Sequence, residues 1–121
     1  MKKIFILLSF LFFNSLLYAQ TKSLVGIYKY GANDVIALYD DGTGKFSLPT
    51  FYGDNNPGIV DFKWRFRPEY NEVELRLSLT EDQSYIILSK IISFKYIETG
   101  NKQVLSRRNP IQLFNYEKIK N

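Results

Sequence analysis

Val60-Asp61-Phe62-Lys63-Trp64-Arg65-Phe66-Arg67, then Pro68-Glu69-Tyr70-Asn71, then Glu72-Val73-Glu74-Leu75-Arg76-Leu77-Ser78-Leu79: this run of twenty residues decides the fold. In the first segment every even position is apolar and every odd one charged. In the second the odd positions are apolar and the even ones polar. A strand points successive side chains to opposite faces, so each segment buries one whole face and wets the other. A helix would scatter these charges around its circumference. Both segments are therefore strands. The four residues between them carry turn chemistry, which makes the pair an antiparallel hairpin.

The same period extends in both directions. Asp41-Gly42 suits a tight turn between strands at Val35–Asp40 and Thr43–Leu48. Leu24 to Tyr30 reads as an opening strand in which Gly26 permits a bulge or a close backbone approach, and Asn33-Asp34 turns the chain. Ser84 to Glu98 is too long for one flat strand and divides at Ser89-Lys90 into two. Thr99 to Asn109, polar and basic, reads as a loop, and Pro110 to Ile119 supplies the last strand. The expectation is an all-β chain of eight short strands with no helix outside the leader. Closing such a meander into a single antiparallel up-and-down β-barrel removes both free sheet edges. A two-sheet β-sandwich buries the same faces and is the alternative.

Lys2-Lys3, the apolar stretch Ile4 to Phe13, and Leu16-Leu17-Tyr18-Ala19 before Gln20 follow the basic–apolar–small order of a secretory signal peptide. As a retained anchor, Ile4 to Ala19 would reach only about 24 Å against a hydrocarbon core of about 30 Å. The expectation is a leader at 1–19, a domain at 20–121 with no membrane span after cleavage, and a periplasmic or secreted destination. Two of the 16 basic residues and none of the 12 acidic ones lie in the leader, so the net charge of +4 falls to +2. That is too weak for the dense basic stripe of a nucleic-acid binder.

The chain has no cysteine and no histidine. Disulfides, a lipid-anchored N-terminal cysteine, thiol nucleophiles, imidazole bases and His- or Cys-based metal sites are all excluded. With 45% hydrophobic and 17% aromatic residues, the composition is that of a packed domain.

Gly26-Ile27-Tyr28, Val35-Ile36-Ala37-Leu38-Tyr39, Asp41-Gly42-Thr43-Gly44, Phe62-Lys63-Trp64 and Val73-Glu74-Leu75, in that order, resemble the small bacterial lipocalin-like domains. There a Gly-x-Trp opens the first strand and an Asp-Gly-Thr-Gly hairpin joins the next two. Here Tyr28 stands where the opening Trp would be. The resemblance implies an exported barrel, with Tyr28 plugging its closed end.

An eight-stranded barrel is just wide enough to be filled by side chains or to hold one small ligand. Phe62, Trp64 and Phe66 would line an interior pocket for a small apolar molecule. With Val73, Leu75, Leu77 and Leu79, and with Phe46, Leu48, Phe94 and Tyr96, they could equally fill it. Phe51 and Tyr52, in the loop Phe51 to Gly58, would either overhang the mouth as recognition anchors or cap the core. The alternative function is a protein–protein module using the 49–58 and 99–109 loops. Asp54-Asn55-Asn56 lacks the spaced register and bidentate Glu of a calcium loop, so no metal is expected. No cofactor is expected either. Lys102, Arg107 and Arg108 read as solvated loop charges that could otherwise clamp a carboxylate or phosphate. Glu72 and Glu74 share one wet strand face, which is not a catalytic cleft; the expectation is a non-catalytic binding protein.

Overall fold

The computed structural model describes residues 21–108 and 112–121. The expected leader and the start of the expected last strand at Pro110 lie outside the described residues. Eight strands run in order: β1 (Gly26–Tyr30), β2 (Asp34–Leu38), β3 (Thr43–Ser47), β4 (Val60–Arg67), β5 (Glu72–Ser78), β6 (Ile91–Thr99), β7 (Lys102–Arg108) and β8 (Leu113–Lys120). Each pairs antiparallel with the next, and β8 returns to β1, so the sheet is a closed up-and-down barrel. Closure decides against the sandwich.

The hairpin that opened the sequence reading pairs with its two apolar faces in coincidence. Phe62 sits opposite Leu77, Trp64 opposite Leu75 and Phe66 opposite Val73. Every one of these points inward, while Asp61, Lys63, Arg65 and Arg76 face out. A membrane-spanning barrel needs the opposite arrangement, with an apolar band outside. The interior is packed with rings: Tyr28, Phe46, Phe62, Phe94, Phe114 and Tyr116 are all buried. Between them Ile36, Leu38, Leu48, Val60, Val73, Leu75, Leu77, Ile92 and Leu105 complete one continuous core. Phe62 lies across the backbone of its cross-strand partner Gly44, where a Cβ would collide with the Phe62 ring and with the Ala37 carbonyl.

The strand count agrees with the sequence reading, but two assignments change place. The first half of Ser84–Glu98, expected as a strand, belongs to helix α2 (Glu81–Ile86) and the turn after it. Thr99–Asn109, expected as a loop, is mostly β7. Short helical pieces also occur at 21–24 and at α1 (Pro49–Tyr52), followed by a 3-10 turn over Gly53–Asn55. The physical reasons are local. Thr80 accepts a hydrogen bond from the Gln83 N–H (3.2 Å) while the Gln83 side chain accepts one from the Thr80 N–H (3.1 Å). This reciprocal cap, with Glu81 and Asp82 in the first turn, starts a helix. In β7 the inward positions are Gln103, Leu105 and Arg107, so no apolar alternation marks it as a strand.

Antiparallel order places the connections at two ends. The tight turns 39–42, 68–71 and 100–101 lie at one end, here called the base, and the long connections 48–59 and 79–90 at the other, the mouth.

Gly44→Ala is expected to destabilise the barrel by about 1–3 kcal/mol, the usual cost of overpacking a filled core. Urea unfolding at unchanged m-value checks this; a midpoint equal to wild type would show that Phe62 and β2 can move aside.

Candidate functional site

The base is sealed. The segment 21–24 crosses it, and three carbonyl contacts pin it there: Lys118 Nζ donates to Ser23 O (2.7 Å), Gln103 Nε2 to the same oxygen (3.0 Å), and Tyr28 Oη to Leu24 O (2.7 Å). Leu24 is thereby buried in the core. Lys118 lies 5.9 Å from the centre of the Tyr28 ring, and burial lowers its pKa from the ordinary lysine value. Trp64 belongs to this end, its indole N–H donating to the Tyr39 carbonyl (2.9 Å) in the first tight turn. Phe66 packs edge-on against Tyr96 at 6.2 Å, also at the base. Two grooves of about 280 and 420 Å³ flank the segment 21–24, and polar side chains such as Asn71, Glu98, Asp40 and Gln103 contribute to their walls.

The mouth is built differently. Asp34, buried at the start of β2, accepts hydrogen bonds from the Thr50 hydroxyl (2.7 Å) and from the Thr50 N–H (3.1 Å). It thus holds α1 against the rim, where Pro49 presets the first turn. Two rings of α1 reach down into the barrel: Phe51 meets Phe114 at 5.3 Å, and Tyr52 stacks on Phe46 at 6.4 Å. Opposite α1, Gln83 of α2 donates to the carbonyls of Pro57 (3.2 Å) and Ile59 (2.8 Å), tying the two long connections together. Between them lies a groove of about 250 Å³ lined by Phe51, Tyr52, Ile86, Ile87, Leu88, Ser89, Ile92 and Arg107. Apart from Arg107 and Ser89 its walls are apolar or aromatic, and at its lip Leu88 is 92% exposed.

Arg107 is the cation of this groove. Its Nη1 donates to the Ser93 carbonyl (3.1 Å), and its guanidinium carbon lies 5.7 Å from the Phe51 ring centre and 6.0 Å from that of Phe94. Within the barrel, the Tyr116 hydroxyl is buried with no hydrogen-bond partner among the described residues. Burial raises the Tyr116 pKa strongly, with Asp34, Tyr30 and Tyr52 adding to the rise and Arg107 opposing it. Burial raises Tyr52 too, again against the pull of Arg107. These charges and hydroxyls therefore share one polar zone under α1.

The five residues expected from sequence to form a site are thus divided. Phe51 and Tyr52 line the mouth groove and cap the core at once. Phe62 is enclosed in the middle of the barrel, and Trp64 and Phe66 stand at the base. The sequence singles out none of Ile86, Ile87 and Leu88, and offers Arg107 only as a solvated loop charge that could otherwise clamp a carboxylate or phosphate. The Thr80-Glu81-Asp82-Gln83 capping signature, which starts the helix that carries the first of these to the mouth, was present to be read. Of the 99–109 stretch, the turn 100–101 lies at the base, away from 49–58, whereas Arg107 reaches the mouth beside Phe51.

On the outer wall Glu74, expected to be wet, is nearly covered by Arg65 (3.0 Å) and Arg67 (3.5 Å). The Arg65 hydrogen bond holds its carboxyl below the ordinary glutamate value. This surface ion-pair cluster borders a shallow groove of about 240 Å³ lined by Lys63, Trp64, Arg65, Glu74 and Arg76. Among the described residues no group of three or more Asp or Glu side chains is placed to hold a metal ion. No helix of the described residues is long and apolar enough to cross a membrane.

Compared with family models, curated proteins and solved structures, the chain matches none. The site must therefore be interpreted from its own geometry.

The buried phenols give a pH signature. Tyr28 and Tyr116 are both raised well above the ordinary value of 10.0, chiefly by burial. Below pH 10 they are neutral in folded and unfolded chains alike, so their stabilisation is intact. Above it the unfolded chain releases protons that the folded one keeps, and stability falls by about 1.4 kcal/mol per pH unit for each phenol. Absorbance titration at 295 nm is expected to leave a fraction of the nine tyrosines un-ionised until the barrel unfolds. Complete titration of a still-folded barrel near pH 10 would contradict this burial.

Proposed function

We propose that this chain is an exported, non-catalytic binding protein of lipocalin-like type that takes a small apolar molecule in the mouth groove. One observation carries the reading: an apolar groove of about 250 Å³ opens beside α1 and α2, while the barrel below it is filled with side chains. Its volume lies just under the roughly 300–1,000 Å³ of typical ligand pockets, which fits a small occupant. Leu88 and the half-exposed Ile86 at the lip gain by burial against such a molecule, at about 25 cal/mol per Å² covered. The interior rings leave the ligand at the rim rather than in the centre. Export rests on the basic–apolar–small order of residues 1–20. The absence of histidine and cysteine, which removes imidazole bases and thiol nucleophiles, supports a non-catalytic role.

Calorimetric titration with 1-octanol tests the reading. Saturable binding is expected, weakened about ten-fold or more by Leu88→Asp, which puts a charge on the lip without touching the core. Phe66→Leu, at the base, is expected to leave the affinity unchanged. Absence of saturable binding, or equal weakening by both substitutions, would remove the mouth as the binding site. Trp64 is at the opposite end, so its fluorescence is expected to stay constant on binding.

A further inference from the structure

We propose that the mouth groove selects amphiphiles bearing a carboxylate, with the Arg107 guanidinium holding the head group and the groove's apolar wall the tail. The inference rests on the mouth being the binding site and adds the chemical class of the ligand.

The alternation of β7 turns Arg107 to the barrel side, opposite Phe114, at the floor of the groove. An arginine in such a place usually meets a carboxylate, because an unpaired charge withdrawn from water is costly. Here, among the described residues, Arg107 makes no ion pair. Its Nη1 is spent on the Ser93 carbonyl, and its Nε is buried with no hydrogen-bond partner among the described residues. Asp34, the buried carboxylate at the same rim, has both oxygens engaged by Thr50 and belongs to the α1 anchor. What Arg107 leaves free is its Nε/Nη2 edge, the two parallel N–H groups that a carboxylate takes side-on through both oxygens.

The surroundings suit that head group. Phe51 and Phe94 flank the guanidinium and exclude water, which strengthens a charge-assisted hydrogen bond. Tyr52 lines the same groove as Arg107. Ile86, Ile87, Leu88 and Ile92 line the same groove and give it the apolar wall for a short chain. Because Nε is buried, seating a carboxylate on this edge requires a neighbouring side chain, such as the half-buried Phe51 ring, to move aside.

The test compares octanoate with 1-octanol by calorimetry at pH 7, on the full exported protein and on Arg107→Met. Wild type is expected to bind octanoate about ten-fold or more tightly than octanol; Arg107→Met is expected to bring the two to parity while retaining octanol. Equal affinities in wild type, or a preference that survives Arg107→Met, would overturn the assignment and leave the groove intact. Failure of both molecules to bind wild type would remove the groove itself, and the head-group assignment with it. The wild-type comparison needs no variant to fold. Arg107→Lys, which keeps the charge but loses the flat two-donor edge, is expected to lose most of the preference.

Discussion

The seam between β1 and β8 is the constraint on which the rest of this molecule depends. Ile27 faces Lys120, Tyr28 faces Lys118 and Lys29 faces Glu117, with a register shift between Ile27 and Tyr28. Closing there satisfies the outer hydrogen-bonding edges of both strands and leaves no edge for another chain to extend. Gly26 makes the closure possible. Its φ is 151°, and a Cβ would collide with the Lys118 side chain and the Lys120 carbonyl. With the seam shut, Tyr28, Leu105 and Tyr116 become fully buried although they lie on the first, seventh and eighth strands.

A closed barrel has two ends, and this one treats them differently. At the base, tight turns and the pinned segment 21–24 leave carbonyl oxygens to absorb the donors of Lys118, Gln103 and Tyr28. At the mouth, Asp34 and Gln83 fasten two long connections over the rim, but the donors of Arg107 Nε and Tyr116 remain without acceptors among the described residues. The same physical rule, that buried polar groups seek partners, is met at one end and left open at the other. That difference is what sets the mouth apart from the base.

The alternation from Val60 to Leu79 was enough to place β4, β5 and the buried face of each, because strand geometry is local and has period two. The eight-strand total came out right through two compensating errors. Residue pattern alone places a strand where Thr80 caps α2 and a loop where β7 runs. The first was recoverable from Thr80-Glu81-Asp82-Gln83. The second was not, since Gln103 and Arg107 occupy inward positions that a hydrophobic pattern would assign to solvent. Part of the mouth groove is legible as well: Phe51 and Tyr52 stand out as aromatics among turn formers. Trp64 and Phe66 were read onto the interior face correctly, but a single strand's alternation carries no information about which end of a barrel a residue reaches.

By itself, then, the sequence determined the strand period, the inward face of the central hairpin and the exclusion of thiol and imidazole chemistry, all of which follow from residue identity and nearest-neighbour geometry. Only the tertiary structure decided that Arg107 turns inward under Phe51, that α2 brings Leu88 to the same rim, and that Trp64 sits at the far end. Those placements depend on pairings between residues distant along the chain, and they are fixed only when β8 meets β1.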